Sequence, residues 1–146
     1  MSKNYVRAGM AGMAFAGLVS MAMPAAAEKL SFTADLKAAN EVPPNKSPGT
    51  GTLAGAYDTA SKKLEWTVTY AGLTGAVTGA HFHGPADATK NAGVAVTIPG
   101  AASPATGSAT LTDAQAADLM AGKWYVNVHT AANKDGEIRG QVTKSK

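Results

Sequence analysis

Apolar and polar residues alternate at every second position in short runs along this chain, and that period constrains the fold more than any other feature. Side chains on an extended strand point to opposite faces in turn, so the pattern marks strands with one face buried. Phe32, Ala34 and Leu36 alternate with Ser31, Thr33 and Asp35; Leu53, Gly55 and Tyr57 repeat the pattern. After a polar turn over 58–63 come Leu64, Trp66, Val68 and Tyr70 opposite Glu65, Thr67 and Thr69, so residues 52–70 read as an antiparallel hairpin. The turn Gly72-Leu73-Thr74-Gly75 leads into a strand over Val77 to His83, and Val94, Val96 and Ile98 alternate again until Pro99-Gly100.

Residues Ala101 to Gly107 are small and read as a loop. Thr112 and Gln115 form a capping box that opens a short helix over Asp113 to Ala121, closed by Gly122. Trp124 to Thr130 is the clearest strand. The turn Asn133-Lys134-Asp135-Gly136 returns the chain as a partner strand over Glu137 to Thr143. Short strands, Gly-rich turns and one helix describe an all-β antiparallel β-sandwich or barrel; the expected fold is a β-sandwich, Greek-key-like, with one short helix.

The first 27 residues stand outside this pattern. Lys3 and Arg7 precede an apolar run from Ala8 to Met23, Pro24 breaks it, and Ala25-Ala26-Ala27 fits the small-residue cleavage rule. Residues 1–27 are therefore expected to be a secretory signal peptide, with 28–146 a single domain in the periplasm or secreted. The 146-residue chain carries a formal charge of +3 and six Met, but Lys3, Arg7 and five of those Met belong to the expected signal. The remainder is nearly neutral, so its scattered Lys give no argument for nucleic acid. No membrane association is expected after cleavage. Leu, Ile, Val and Phe are few, yet near-zero charge and regular placement speak for a folded domain.

The chain has no Cys, which excludes disulfides, thiol nucleophiles and thiolate metal sites. It also has no phosphate-binding Gly loop and no nucleophile elbow, so little points to an enzyme. The informative feature is His81-Phe82-His83, with His129 on a later strand. Positions i and i+2 share a face, so both imidazoles lean to one point while Phe82 turns away. That suits a metal ion about 2.0–2.1 Å from each nitrogen. His129 supplies a third ligand if its strand runs beside the first. A His-x-His pair on a sheet also occurs as two solvated side chains, and spacing alone leaves both readings open.

Several other residues bear on such a site. Asn127 shares a face with His129 and Tyr125. Glu41 opens the rigid segment Glu41-Val42-Pro43-Pro44, whose ordinary role is packing over a sandwich end. Glu137 and Arg139 share a face and suit an ion pair, and Glu137 is also placed to accept a hydrogen bond from an imidazole. Trp66 and Trp124 read as core.

At these residues the chain resembles the CHRD family, a domain first named in chordin and common in bacterial secreted proteins. The matching pieces are Phe32-Thr33-Ala34-Asp35-Leu36, Asn40-Glu41-Val42-Pro43-Pro44, Gly49-Thr50-Gly51, Leu64-Glu65-Trp66-Thr67-Val68 and Gly72-Leu73-Thr74. Ala80-His81-Phe82-His83-Gly84-Pro85-Ala86 follows, then Trp124 to Thr130 and Gly136-Glu137-Ile138-Arg139-Gly140-Gln141. The resemblance implies an extracellular β-sandwich. Some bacterial members are associated with copper, which implies a copper ion on His81, His83 and His129; Glu137, Asn127 and Glu41 are the candidate outer residues around such an ion. Imidazole donors favour Cu(II) among divalent first-row ions.

A weaker resemblance, to copper/zinc superoxide dismutase, rests on the sandwich, the His-x-His pair and the later strand His. The chain lacks a counterpart of the bridging His, the zinc ligands and the disulfide. Three functions follow from these readings: metal sequestration or handling first, a structural module binding another protein or matrix component second, and a dismutase-like copper redox enzyme third.

Overall fold

The computed structural model describes residues 26–100 and 102–145. The expected signal segment, 1–27, lies outside them except for its last two alanines. Among the described residues no helix is long and apolar enough to cross a membrane.

The alternating runs become strands β1 (Lys29–Lys37), β2 (Thr50–Asp58) and β3 (Lys63–Ala71), followed by β4 (Val77–His83) and β5 (Val94–Ile98). Next come β6 (Ala105–Thr110), helix α1 (Asp113–Met120), β7 (Tyr125–Thr130), β8 (Ile138–Gln141) and β9 (Thr143–Lys144). All pairings are antiparallel, in the order β5-β4-β7-β8-β1-β2-β3-β6, with β9 added to β1. The two ends of this order, β5 and β6, approach each other, so the sheet nearly closes into a sandwich-like barrel. Its interior holds Phe32, Leu36, Leu64, Val68, Phe82, Trp124, Val126, Val128 and Ile138. Phe82 packs edge-on to Trp66 at 5.2 Å between centroids and lies 5.8 Å from Trp124, which fixes the inward face of β4.

The helix begins as its capping box requires. Thr112 Oγ1 accepts from the Gln115 N–H, and the Gln115 side chain accepts from the Thr112 N–H. Gly122, at φ 70°, follows its end.

Two expectations are corrected. The segment read as a loop over 101–107 enters a strand, for β6 starts at Ala105 and pairs with β3 from Lys63↔Thr110 to Val68↔Ala105. No large apolar residue marks it; Gly107 instead lets the Trp66 indole lie over the backbone, where a Cβ would stand 2.7 Å from the ring. The return strand over Glu137 to Thr143 is divided: β8 pairs with β7, whereas Thr143 pairs with Thr33 of β1. Between them the Val142 N–H donates to the Trp124 carbonyl at 2.8 Å, and the Val142 side chain is buried.

Candidate metal centre

Strand β7 lies beside β4 in the sheet, which places His129 next to the His-x-His pair. In this ladder Gly79 is across from His129, His81 across from Asn127, and His83 across from Tyr125. A β-strand neighbour and its diagonal are within reach of an aromatic side chain. The centroids of His81 and His129 are accordingly 5.1 Å apart, those of His81 and His83 5.5 Å, and those of His83 and His129 6.1 Å.

One ring nitrogen from each His lies within 4.8 Å of the others. His83 is buried, and His81 and His129 are half-buried. His83 Nδ1 donates to the Ala92 carbonyl at 3.0 Å and His129 Nδ1 to the Lys134 carbonyl at 2.8 Å. Carbonyls only accept, so both rings carry their proton on Nδ1 and keep a lone pair on Nε2. Those two Nε2 atoms, together with His81 Nδ1, are buried and have no hydrogen-bond partner. Buried polar atoms without a protein partner are rare, and these three are open to water or an ion as the partner.

The electrostatics favour the neutral form of His81 and His83. Burial, reinforced by His129 and His83, holds the His81 pKa below the usual histidine value. Burial also lowers that of His83, with His129 adding to it and the Ala92 carbonyl opposing. A neutral ring is the form that ligates a metal. The donor set, three imidazole nitrogens, is of the kind that holds a borderline divalent ion; a shared ion with bonds of about 2.0–2.1 Å needs nitrogens no more than about 4 Å apart, closer than the 4.8 Å that bounds them here.

The outer residues divide into two groups. Asn127 is buried on the His face of β7, and Glu41 is buried beside it. A Cβ on Gly136, at φ 130°, would fall 2.4 Å from Glu41 Oε1 and 2.8 Å from Asn127 Nδ2, so only glycine admits both side chains there. Burial pushes the Glu41 carboxyl up to about 7, against the lowering effects of Arg139 and the Asn127 amide. The same amide partly offsets the fall at His83.

Glu137 lies elsewhere. Its carboxylate accepts from Ser47 Oγ at 2.5 Å, from the Thr74 N–H at 2.6 Å and Thr74 Oγ1 at 3.0 Å, and from Thr130 Oγ1 at 2.5 Å. Burial alone would raise its pKa, but these bonds together bring it down to about 2. It is thus a loop anchor, and it neither accepts from an imidazole nor pairs with Arg139. The Arg139 guanidinium turns instead to the loop between β4 and β5.

Sequence reasoning passed over the contribution of Tyr125, whose ring stacks on His83 with centroids 4.9 Å apart and planes 6° from parallel. Its place on the His129 face was the available signal. The carbonyls of Ala92 and Lys134 carry no such signal, since any residue supplies one.

No curated protein and no solved structure matches this chain. A family model, the CHRD domain, matches residues 32–142, which spans β1 to the segment after β8 and includes all three His. The chain belongs to the CHRD domain family.

Proposed function

We propose that this CHRD domain binds one copper or similar divalent ion through His81, His83 and His129, and serves metal sequestration or handling in the periplasm or outside the cell. The observation that carries the reading is the set of three buried, partnerless imidazole nitrogens on adjacent strands. Two of the three rings are fixed by backbone carbonyls in the tautomer that offers Nε2, as metal-ligating histidines require. Copper is favoured because an all-imidazole set binds Cu(II) most tightly among divalent first-row ions. The N-terminal segment, with its small-residue cleavage pattern, supports export.

The residues present suit holding an ion better than turning over a substrate. Among the described residues no carboxylate is hydrogen-bonded to the imidazoles: Glu41 adjoins Asn127, and Glu137 is engaged by the Ser47, Thr74 and Thr130 hydroxyls. A bound ion would supply positive charge and, if copper, one-electron chemistry. Titration of the 28–146 protein with Cu(II), followed by EPR, tests the reading. It predicts saturable binding that His81→Ala removes, and it fails if the variant binds as the parent does.

A further inference from the structure

Arg139 is 1 % exposed, and among the described residues no carboxylate lies within ion-pair distance of it. A buried cation without an ion pair is costly, so its hydrogen bonds and contacts must account for it. Its guanidinium donates to the Lys90 carbonyl at 2.7 Å, the Asp87 carbonyl at 3.3 Å and Asn91 Oδ1 at 2.8 Å. Gln141, two residues on along β8, donates to the Ala86 carbonyl at 2.9 Å. The 86–91 stretch of the loop after β4 is thereby tied to β8.

The same guanidinium sits over the Tyr125 ring, with its carbon 3.4 Å from the centroid. His83 comes from β4 and Arg139 from β8, and these strands flank β7 on opposite sides. The phenol is therefore clasped between an imidazole and a cation, an arrangement that aromatic faces favour. At the rim of the column the Tyr125 hydroxyl accepts from the Ala92 N–H at 3.1 Å. The Ala92 carbonyl is the acceptor that keeps the His83 proton on Nδ1.

Two routes thus run from Arg139 to one imidazole: through the Tyr125 ring to its plane, and through the loop and Ala92 to its tautomer. We propose that Arg139 is a positioning residue for the three-His centre, fixing the orientation and the Nδ1–H tautomer of His83 so that Nε2 faces His81 and His129. The metal-affinity consequence rests on the reading given under Proposed function; the tautomer consequence does not.

Long-range 1H–15N spectra of the metal-free protein at pH 8 test the tautomer directly. The parent should show His83 as a single Nδ1–H form. Arg139→Lys keeps the charge but loses the planar fork, and should mix the two His83 tautomers while His129, anchored on Lys134, stays unchanged. Tyr125→Phe, the milder change, should move His83 in the same direction by less, and decides the matter if Arg139→Lys does not fold. A single Nδ1–H form of His83 in both variants overturns the proposal, as does an equal change at all three His, which would mark general loosening. In a Cu(II) titration Arg139→Lys should bind roughly tenfold or more weakly, the scale of lost outer-residue support. Unchanged affinity in the variant of a chain that binds Cu(II) also overturns it. A parent chain that takes up no Cu(II) contradicts the metal reading instead, and the spectra then judge Arg139 alone.

Discussion

Gly79 stands directly across from His129 in the β4–β7 ladder, and the His81 ring occupies the space that a side chain at Gly79 would need. A Cβ there would lie 3.3 Å from His81 Cε1 and 3.7 Å from Nε2. Alanine would displace the ring by a few tenths of an ångström, and a branched side chain by more. Gly79→Val is expected to weaken Cu(II) binding by about tenfold, in line with a misoriented ligand, while the β-favouring side chain leaves thermal stability close to the parent's. Calorimetric titration beside a melting curve separates the two effects.

Metal uptake should persist below the ordinary histidine range. His81 and His83 both have their pKa lowered, so as pH falls they stay neutral past about 6.5, the unperturbed value. At His81 and His83, competition between protons and Cu(II) should therefore set in on the acid side of 6.5. A titration series from pH 5 to 8 checks this; half-loss at or above 6.5 would contradict it.

Glu41 links stability to pH in the opposite sense to most carboxylates. Its folded pKa of about 7 exceeds the ordinary 4.5, so the protonated form is the one the fold prefers. That contribution is complete below 4.5 and is lost as pH rises through 7. Metal-free Glu41→Gln should flatten the decline of melting temperature between pH 5 and 8 that the parent shows. Parallel curves for the two proteins would count against the buried, neutral acid.

Glu137 behaves in the usual direction. With a folded pKa of about 2 it stabilises the fold above 4.5 and ceases to do so as pH falls toward 2. Glu137→Gln leaves the Ser47, Thr74 and Thr130 donors with a weaker acceptor and should cost about 2 kcal/mol at pH 7 by chemical denaturation, the scale of a charged hydrogen bond. The loss should shrink toward pH 2. Because Glu137 lies away from the imidazoles, Cu(II) affinity of the folded variant should stay near that of the parent.

Large side chains at period two made most of the strands legible, since burying Phe32, Leu36, Leu64, Trp66 and Val68 on one face needs an extended chain. Strand β6 was not legible because Ala-Thr-Gly-Ser-Ala-Thr carries no large apolar residue; its place is set by pairing with β3 and by Trp66 lying on Gly107. At the centre, His81 and His83 share a face by strand geometry alone, and His129 joins them because β7 pairs with β4, a long-range choice that spacing does not reveal. Asn127 and Glu41 do adjoin one another near His83. The part played by Arg139 was out of reach: its partners are mostly carbonyls of a loop about fifty residues away, and a lone Arg on a strand suggests a surface ion pair first.

The central claim, that three imidazoles on β4 and β7 hold one ion, is tested most directly by counting the nitrogens on it. Cu(II) at one equivalent, studied by pulsed EPR, should show three histidine nitrogens in the parent and two in each of His81→Ala, His83→Ala and His129→Ala, with weaker binding in every variant. Cu(II) signals indistinguishable between the parent and any one of these variants would contradict the account.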